Sequence, residues 1–403
     1  MSDEDKFSKI QPSQRQRPLI MQLALASGAL AQPSLLKGNH FTDEFWERPD
    51  GKNARASMER VVEGLRRYQL HPYERKPQRI GWKGSVIWTD GEARILWYAA
   101  QPNRKSKKRA QKPKASILII PSMINGAEIL DILPEDRSLI RWLAEQGFDV
   151  FVLEWGSLRE DPELENLDKA IGSKISRAVT WLKQEIDTSL FGIGYCMGGL
   201  FLAATELLNP DCFDGLVFVA TPWDFKAGAK DNFAEAITSW APDGLRRVQH
   251  LDYLPNEWLQ MIFAGVEPAT VARKFSAFAD MKSGSIEEKL FVAVEDWVNG
   301  GGDLPSGVIQ GAVKDWYLDN KVVRGQWSVA GQKINAKKIK KPSLVIVPAK
   351  DKIVPPASAE PLSRQIPDGY ILIPECGHIS MMVGARAKDE VWEPMKDWIL
   401  ERI

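Results

Sequence analysis

Residues 190–200 read Leu-Phe-Gly-Ile-Gly-Tyr-Cys-Met-Gly-Gly-Leu, an apolar run that passes through Gly194-Tyr195-Cys196-Met197-Gly198 and continues as an apolar, helix-forming sequence. A strand can pass into a helix across a single residue only if its neighbours are small, because the two backbones then approach closely. Gly194 and Gly198 meet that condition. Cys196 is therefore expected at the apex of a sharp strand-to-helix turn, in an unfavourable backbone conformation, with its thiol at the carboxyl edge of a sheet. The N-terminus of the following helix favours thiolate there, and the Met197 N–H can help hold an oxyanion.

Such a turn requires a sheet to project from, and the sequence supplies one. From Ser116 onward, short apolar stretches alternate with helical patterns, as in a mostly parallel sheet flanked by helices. Strands are expected at 117–120, 150–153, 190–195, 216–220, 344–347 and 370–373. Crossover helices are expected at 137–146, 169–186 and 197–208, where apolar residues recur every three to four positions. Ahead of them, 84–89 and 93–99 alternate around Asp90-Gly91 and read as a β-hairpin.

These patterns divide the chain. Residues 1–17, rich in Gln, Ser and Pro, are expected to be a disordered lead. Residues 18–115 form an N-terminal helical and β-hairpin region, with 19–36 amphipathic. Residues 116–225 and 336–403 make one catalytic core, interrupted by a cap insertion at 226–335 that is rich in Trp and Phe. That insertion either encloses an acyl substrate or builds a second small core. The chain carries 15 Trp in all, which suit either core packing or an apolar channel.

Charge and cysteine content narrow the function. Lys+Arg and Asp+Glu number 53 each, so no global field recruits nucleic acid or an anionic membrane. Seven Lys or Arg fall within 104–114. They read as a solvated hairpin loop, with a grip on CoA phosphates as the alternative. Three cysteines are too few for a disulfide framework, and four scattered histidines offer no metal-ligand spacing. A cytoplasmic protein without signal peptide, transmembrane segment, metal or redox cofactor is expected.

A cysteine in a strand-to-helix turn acquires catalytic meaning if acid and base follow it in the order nucleophile, acid, histidine, the order of an α/β-hydrolase fold. They do. Asp351 follows the strand at 344–347 within Pro-Ala-Lys-Asp-Lys-Ile-Val-Pro, and His378 follows the strand at 370–373 within Glu-Cys-Gly-His-Ile. His40 and His71 precede the core, and His250 lies in the expected cap. Asp131, Asp224 and Asp296 are the competing acids. The second oxyanion donor is expected from Pro121-Ser122-Met123-Ile124-Asn125, as the Met123 or the Ile124 N–H. Cys212 and Cys376 are read as space-filling.

With cysteine at the apex, the sequence resembles the polyhydroxyalkanoate synthases over roughly 115–384. The resemblance runs in order through Ile124-Asn125, Ile129-Leu130-Asp131-Ile132, Ser138-Leu139-Ile140-Arg141-Trp142-Leu143, Glu145-Gln146-Gly147, Gly194-Tyr195-Cys196-Met197-Gly198-Gly199, Thr221-Pro222-Trp223-Asp224-Phe225, Glu295-Asp296-Trp297, Tyr317-Leu318-Asp319-Asn320, Asp351-Lys352-Ile353-Val354-Pro355 and Gly377-His378-Ile379. Two positions depart from the family pattern: Lys352 stands where members commonly have His, and the Trp-containing motif reads Glu154-Trp155-Gly156.

The resemblance implies an acyltransferase that polymerises (R)-3-hydroxyacyl-CoA through an acyl-cysteine and releases CoA. It implies no cofactor beyond the CoA thioester substrate. Its partners would be the growing polyester, a second synthase subunit or a second copy of the chain, and a granule surface. Two other readings stand beside it: a thioesterase or polyester depolymerase with the same triad, and a granule-associated interaction protein with a silent site.

Overall fold

The backbone pattern expected of a parallel sheet is realised in a computed structural model that describes residues 43–73, 84–101, 112–133, 137–228, 233–266 and 268–403. The expected disordered lead, the amphipathic 19–36 stretch, His40 and the basic loop up to residue 111 lie outside the described residues.

Eight strands form one sheet: β1 (Ser85–Asp90), β2 (Ala93–Tyr98), β3 (Ser116–Ile120), β4 (Asp149–Glu154), β5 (Leu190–Tyr195), β6 (Gly215–Val219), β7 (Ser343–Ile346) and β8 (Gly369–Leu372). Their spatial order is β1-β2-β4-β3-β5-β6-β7-β8. The β1–β2 hairpin is antiparallel and joins β4 antiparallel; every other pairing is parallel. Strands β3, β5, β6 and β7 are buried at every position. Both of their faces are covered, which is why they read as unbroken apolar runs rather than alternating ones. At one edge, β8 leaves Tyr370 and Ile371 exposed.

The principal helices are α1 (Pro49–Gln69), α2 (Leu139–Glu145), α3 (Ser176–Glu185), α4 (Met197–Leu208), α5 (Phe233–Val248), α6 (Pro268–Ala279), α7 (Ile286–Val298), α8 (Pro356–Gln365) and α9 (Glu393–Leu400). Two differ from the sequence pattern. The first two residues expected in α2 instead pair as a strand with Asp131–Leu133, and Ser138 caps the shortened helix by accepting from the Arg141 N–H at 3.1 Å. Ahead of α3, Asp168–Ile175 winds with wider π-type bonding.

Two compact units emerge, and the stretches 18–115 and 226–335 are each divided between them. One unit joins the described residues up to 73 with Glu257–Gly300; the other comprises Gln78–Asn256 and Gly301–Ile403 and holds the whole sheet. In the first unit α1 packs along α6. Val61, Leu65 and Tyr68 recur on one face of α1 and meet Val271, Phe275, Phe278 and Val292. Fully burying each of these larger side chains contributes roughly 1.5–3 kcal/mol. Phe275 and Phe278, which the sequence also allowed to line an acyl channel, belong to this core. Buried Glu288 ties the unit together, accepting from Arg67 Nη2 at 2.5 Å and from the Gly284 N–H at 2.5 Å. Among the described residues, no helix is long and apolar enough to cross a membrane.

Candidate active site at the end of β5

β5 ends at Tyr195 and α4 begins at Met197, so Cys196 alone makes the turn. Its φ of 54° and ψ of −122° place an L-residue in a sparsely populated region, a strain of order 1–3 kcal/mol that persists only where the surroundings over-determine it. They do so here through the Cys196 N–H, which donates to Val219 O at 2.8 Å, and the Gly199 N–H, which donates to Cys196 O at 3.0 Å. The flanking glycines are required by space. A Cβ on Gly194 would come within 2.5 Å of Gly199 Cα, and one on Gly198 within 2.0 Å of Ile120 O.

Asp351 and His378 arrive from the ends of β7 and β8, whose chains stay paired beyond the strands. The Val347, Ala349 and Lys350 N–H groups donate to the carbonyls of Leu372, Pro374 and Cys376 at 2.8–2.9 Å. That extension carries the two residues side by side, and His378 Nδ1 donates to Asp351 Oδ2 at 2.6 Å. The other carboxylate oxygen, Oδ1, accepts from the Ile353 and Val354 N–H groups, both at 2.9 Å. Backbone amides therefore orient Asp351. Asp351 is 4% and His378 9% exposed.

The imidazole also feels the charge of Cys196. Burial opposes a charge on His378, but the Asp351 and Cys196 charges and their hydrogen bonds outweigh it and push the imidazole up to about 10. Tyr195, which the sequence reading passed over, supports it from behind: its ring lies 5.4 Å from the imidazole and its O–H donates to His378 O at 3.3 Å. The only signal for this role was its place beside the nucleophile.

Of the two candidate oxyanion donors after β3, the Ile124 N–H donates to Ser122 Oγ at 3.1 Å. Met123 is buried at the same turn, and its N–H is the other candidate. Trp155 Nε1 donates to Ser122 O at 3.1 Å and so fixes the turn; the altered Trp motif flagged in the sequence thereby acquires a structural task.

The rival groups are engaged elsewhere. Asp131 forms a buried pair with Arg141, Oδ1 to Nε at 2.8 Å. Asp224 binds Asn320 and neighbouring amides. Asp296 accepts from Tyr68 O–H at 2.7 Å, and His71 contacts Glu288 at 3.3 Å, both within the first unit. His250 is exposed beside Gln249. Burial and then Glu206 push the Cys212 thiol far up. Burial, followed by the Glu390 and Asp351 carboxylates, pushes Cys376 up to about 11. Neither thiol is set up to ionise. Among the described residues, no three His, Cys, Asp or Glu side chains converge as a metal site.

Comparison with known proteins agrees with this architecture. The PhaC subunit of the poly(3-hydroxyalkanoate) polymerase of Haloferax mediterranei is 27% identical over 79% of this chain, an alignment that spans 63% of the relative, under two thirds of its length. The corresponding subunit of Allochromatium vinosum is 29% identical over 71% of this chain and 81% of its own. The resemblance read from the ordered motifs thus extends over most of the sequence. In fold, the chain is similar to a soluble variant of monoglyceride lipase from Saccharomyces cerevisiae, with a TM-score of 0.51 at 14% identity, covering 82% of this chain and 99% of that one. The profile described as alpha/beta hydrolase fold matches residues 116–385, which include the whole sheet from β3 onward together with Cys196, Asp351 and His378: the chain belongs to the α/β-hydrolase fold family.

Proposed function

We propose that this protein is an acyltransferase that polymerises (R)-3-hydroxyacyl-CoA into polyhydroxyalkanoate, with Cys196 as nucleophile, His378 as proton carrier and Asp351 as its orienting carboxylate. The observation that carries the reading is a strained cysteine at the strand-to-helix turn, followed in the chain by a carboxylate-bound histidine, in a chain similar to poly(3-hydroxyalkanoate) polymerase subunits.

Attack of the Cys196 sulfur on the thioester carbonyl forms a new C–S bond, and the CoA–carbonyl C–S bond breaks. The exchange is nearly isoenergetic, which suits cysteine over serine. CoA leaves as the thiol with the proton held by His378. The Met197 and Met123 N–H groups stabilise the oxyanion. In the second half, a 3-hydroxyl group passes its proton to His378, attacks the acyl-cysteine carbonyl and restores the Cys196 sulfur. Asp351 keeps the ring oriented through both halves. No metal or redox cofactor enters this scheme. Because the relatives are named as subunits, the proposal includes a second subunit or a second copy of this chain, working at the surface of polymer granules in the cytoplasm.

Incubation with 3-hydroxybutyryl-CoA, following CoA release and polymer turbidity together, tests the reading. Both signals are expected. CoA release with free 3-hydroxybutyrate and no polymer would assign a thioesterase instead, and no CoA release would leave a non-catalytic binding protein.

A further inference from the structure

The turn after β3, from Pro121 to Asn125, carries both candidates for the second oxyanion donor, and a glycine lies against each of its ends. At the start, the backbone passes so close to Gly198, in the first turn of α4, that a Cβ there would come within 2.0 Å of Ile120 O and 2.9 Å of Pro121 C. At the end, the Ile124 carbonyl lies against Gly301, where a Cβ would come within 2.4 Å of that oxygen. Both obstructions are main-chain atoms, which cannot swing aside as the tip of a long side chain can. Between them, Ser122 Oγ accepts from the Ile124 N–H and Ser122 O from Trp155 Nε1, both at 3.1 Å. The Met123 and Ile124 amides thus sit between one contact to the elbow and one to Gly301.

Gly301 is itself fixed by the way the chain passes between the compact units. The chain leaves the sheet-bearing unit after Asn256 and rejoins it at Gly301, and the two ends are paired there. Leu254 and Leu304 are antiparallel partners, as are Tyr253 and Pro305. The Asn256 N–H donates to Asp303 Oδ1 at 3.1 Å, and the Ser306 N–H donates to Asp252 O at 2.9 Å. Asp303 Oδ2 also meets Arg159 Nη1 at 3.0 Å. Asn256 Oδ1 and Asn125 Nδ2 close in on the glycine, 2.9 and 3.3 Å from where its Cβ would be. The next residue, Gly302, is different: a Cβ there would meet nothing within 4 Å. Neither glycine has the left-handed φ that would by itself favour glycine. Space alone distinguishes them.

We propose that Gly301 is a positioning residue for the oxyanion hole: by admitting the Ile124 carbonyl to its Cα, it sets the turn whose amide stabilises the charge formed when Cys196 attacks a thioester. The inference rests on the acyl-cysteine reading above. A side chain at position 301 displaces the Ile124 carbonyl and draws the adjoining amides with it. Loss of one oxyanion donor costs on the order of 10²–10³ in rate, and misplacement by about 1 Å costs on the order of 10². The elbow keeps its own supports, since the Cys196 N–H donates to Val219 O and the Gly199 N–H to Cys196 O. The effect is therefore selective. A reaction that builds negative charge on a substrate oxygen slows, and a reaction at the same sulfur that builds none does not.

Two reactions of Cys196 in the full chain separate these cases. With 3-hydroxybutyryl-CoA, attack on the carbonyl places charge on oxygen before the C–S bond to CoA breaks. With iodoacetamide, the thiolate displaces iodide from a saturated carbon: a C–S bond forms as the C–I bond breaks, and no oxyanion arises. Gly301→Ala is expected to slow CoA release at saturating substrate about tenfold, while Cys196 alkylation, followed by mass spectrometry, keeps the wild-type rate. Gly302→Ala, its neighbour in open space, is expected to match the wild type in both reactions. Wild-type CoA release in Gly301→Ala would overturn the proposal, as would equal slowing of its two reactions or an equal defect in Gly302→Ala. If Gly301→Ala fails to fold, Asp303→Ala decides, because it removes the acceptor of the Asn256 N–H and loosens the paired ends. CoA release about threefold slower with unchanged alkylation supports the proposal, and any other result overturns it. A wild-type chain that is alkylated at Cys196 but releases no CoA would overturn the acyl-cysteine reading and this inference with it, a result distinct from failure in the variants alone.

Discussion

Asp351 meets His378 through a single hydrogen bond of 2.6 Å from one carboxylate oxygen, and its other oxygen is occupied by the amides of Ile353 and Val354. The acid is therefore fixed by its own turn before the histidine arrives, an Asx-type arrangement in which the side chain binds backbone two and three residues ahead. Orientation of the imidazole follows from the path of that short loop together with the Tyr195 side chain behind the ring.

That fixed carboxylate predicts how stability depends on pH. His378 is pushed from an ordinary 6.5 up to about 10, so between those values the folded protein holds a proton that the unfolded chain has lost. The stabilisation is complete below pH 6.5 and disappears as pH rises through 10. Thermal melts across pH 6–10.5, an interval of about 4 units set by those two values, should show a fall in the wild type that Asp351→Asn largely removes. Equal slopes in the two proteins would contradict the coupling.

Cys196 separates catalysis from stability. Cys196→Ala should abolish CoA release and remain folded, since it removes the sulfur and leaves a small side chain in the turn. Cys196→Gly should be equally inactive yet about 1 kcal/mol more stable, because glycine adopts φ 54° without the Cβ penalty. Chemical denaturation of both variants beside the wild type provides the comparison, and an unchanged or lowered midpoint for the glycine variant would contradict the strain argument.

Trp155→Phe keeps an aromatic ring in the buried place but deletes the bond to Ser122 O together with part of the indole. The loss of about 1 kcal/mol of hydrogen bonding at the turn that carries the Met123 N–H should slow acylation roughly three- to tenfold. Single-turnover CoA release, with thermal stability measured in parallel, distinguishes this from general destabilisation.

On the same helix as the elbow, Glu206 is buried beside the Cys212 sulfur, 3.5 Å from Oε2. Burial raises its carboxyl to about 7, against opposing contributions from Cys212, Lys341 and the Phe213 and Asp211 amides. For an acid shifted upward, stability is lost as pH rises from its ordinary 4.5 through 7. Glu206→Gln, which retains an acceptor for the thiol, should flatten that interval and raise the melting temperature at pH 8 by roughly 2–4 °C. Melts over pH 4–8, bracketing that interval by about 1 unit or less, will show whether the slope belongs to this residue.

The sheet and the elbow were legible because both rest on local rules: buried strands read as short apolar runs, and a one-residue turn needs Gly194 and Gly198. Strand ends were displaced by about one residue, since the terminal Ser116, Gly215, Ser343 and Gly369 pair in register without looking apolar. The acid and histidine could be found from their order, but the paired extension beyond β7 and β8 that brings them together has no apolar signature. Tyr195, Ser122 and Trp155 act through backbone carbonyls and hydroxyls, contacts that any sequence could satisfy and none announces. The compact units were hardest to read: nothing local in α1 reveals that its apolar face will be met by α6.

That pairing has a temporal cost during synthesis. Arg67 Nη1, in the last turn of α1, donates to the carbonyl of Phe278, 211 residues further along the chain. At about 5–20 residues per second the ribosome needs on the order of 10–40 s to make that intervening length. For that interval the Val61, Leu65 and Tyr68 face has emerged while its native cover has not, and the nascent chain presents an apolar stripe to whatever binds such surfaces in the cell. The apolar face of α1 is thus completed only once those 211 further residues have been made.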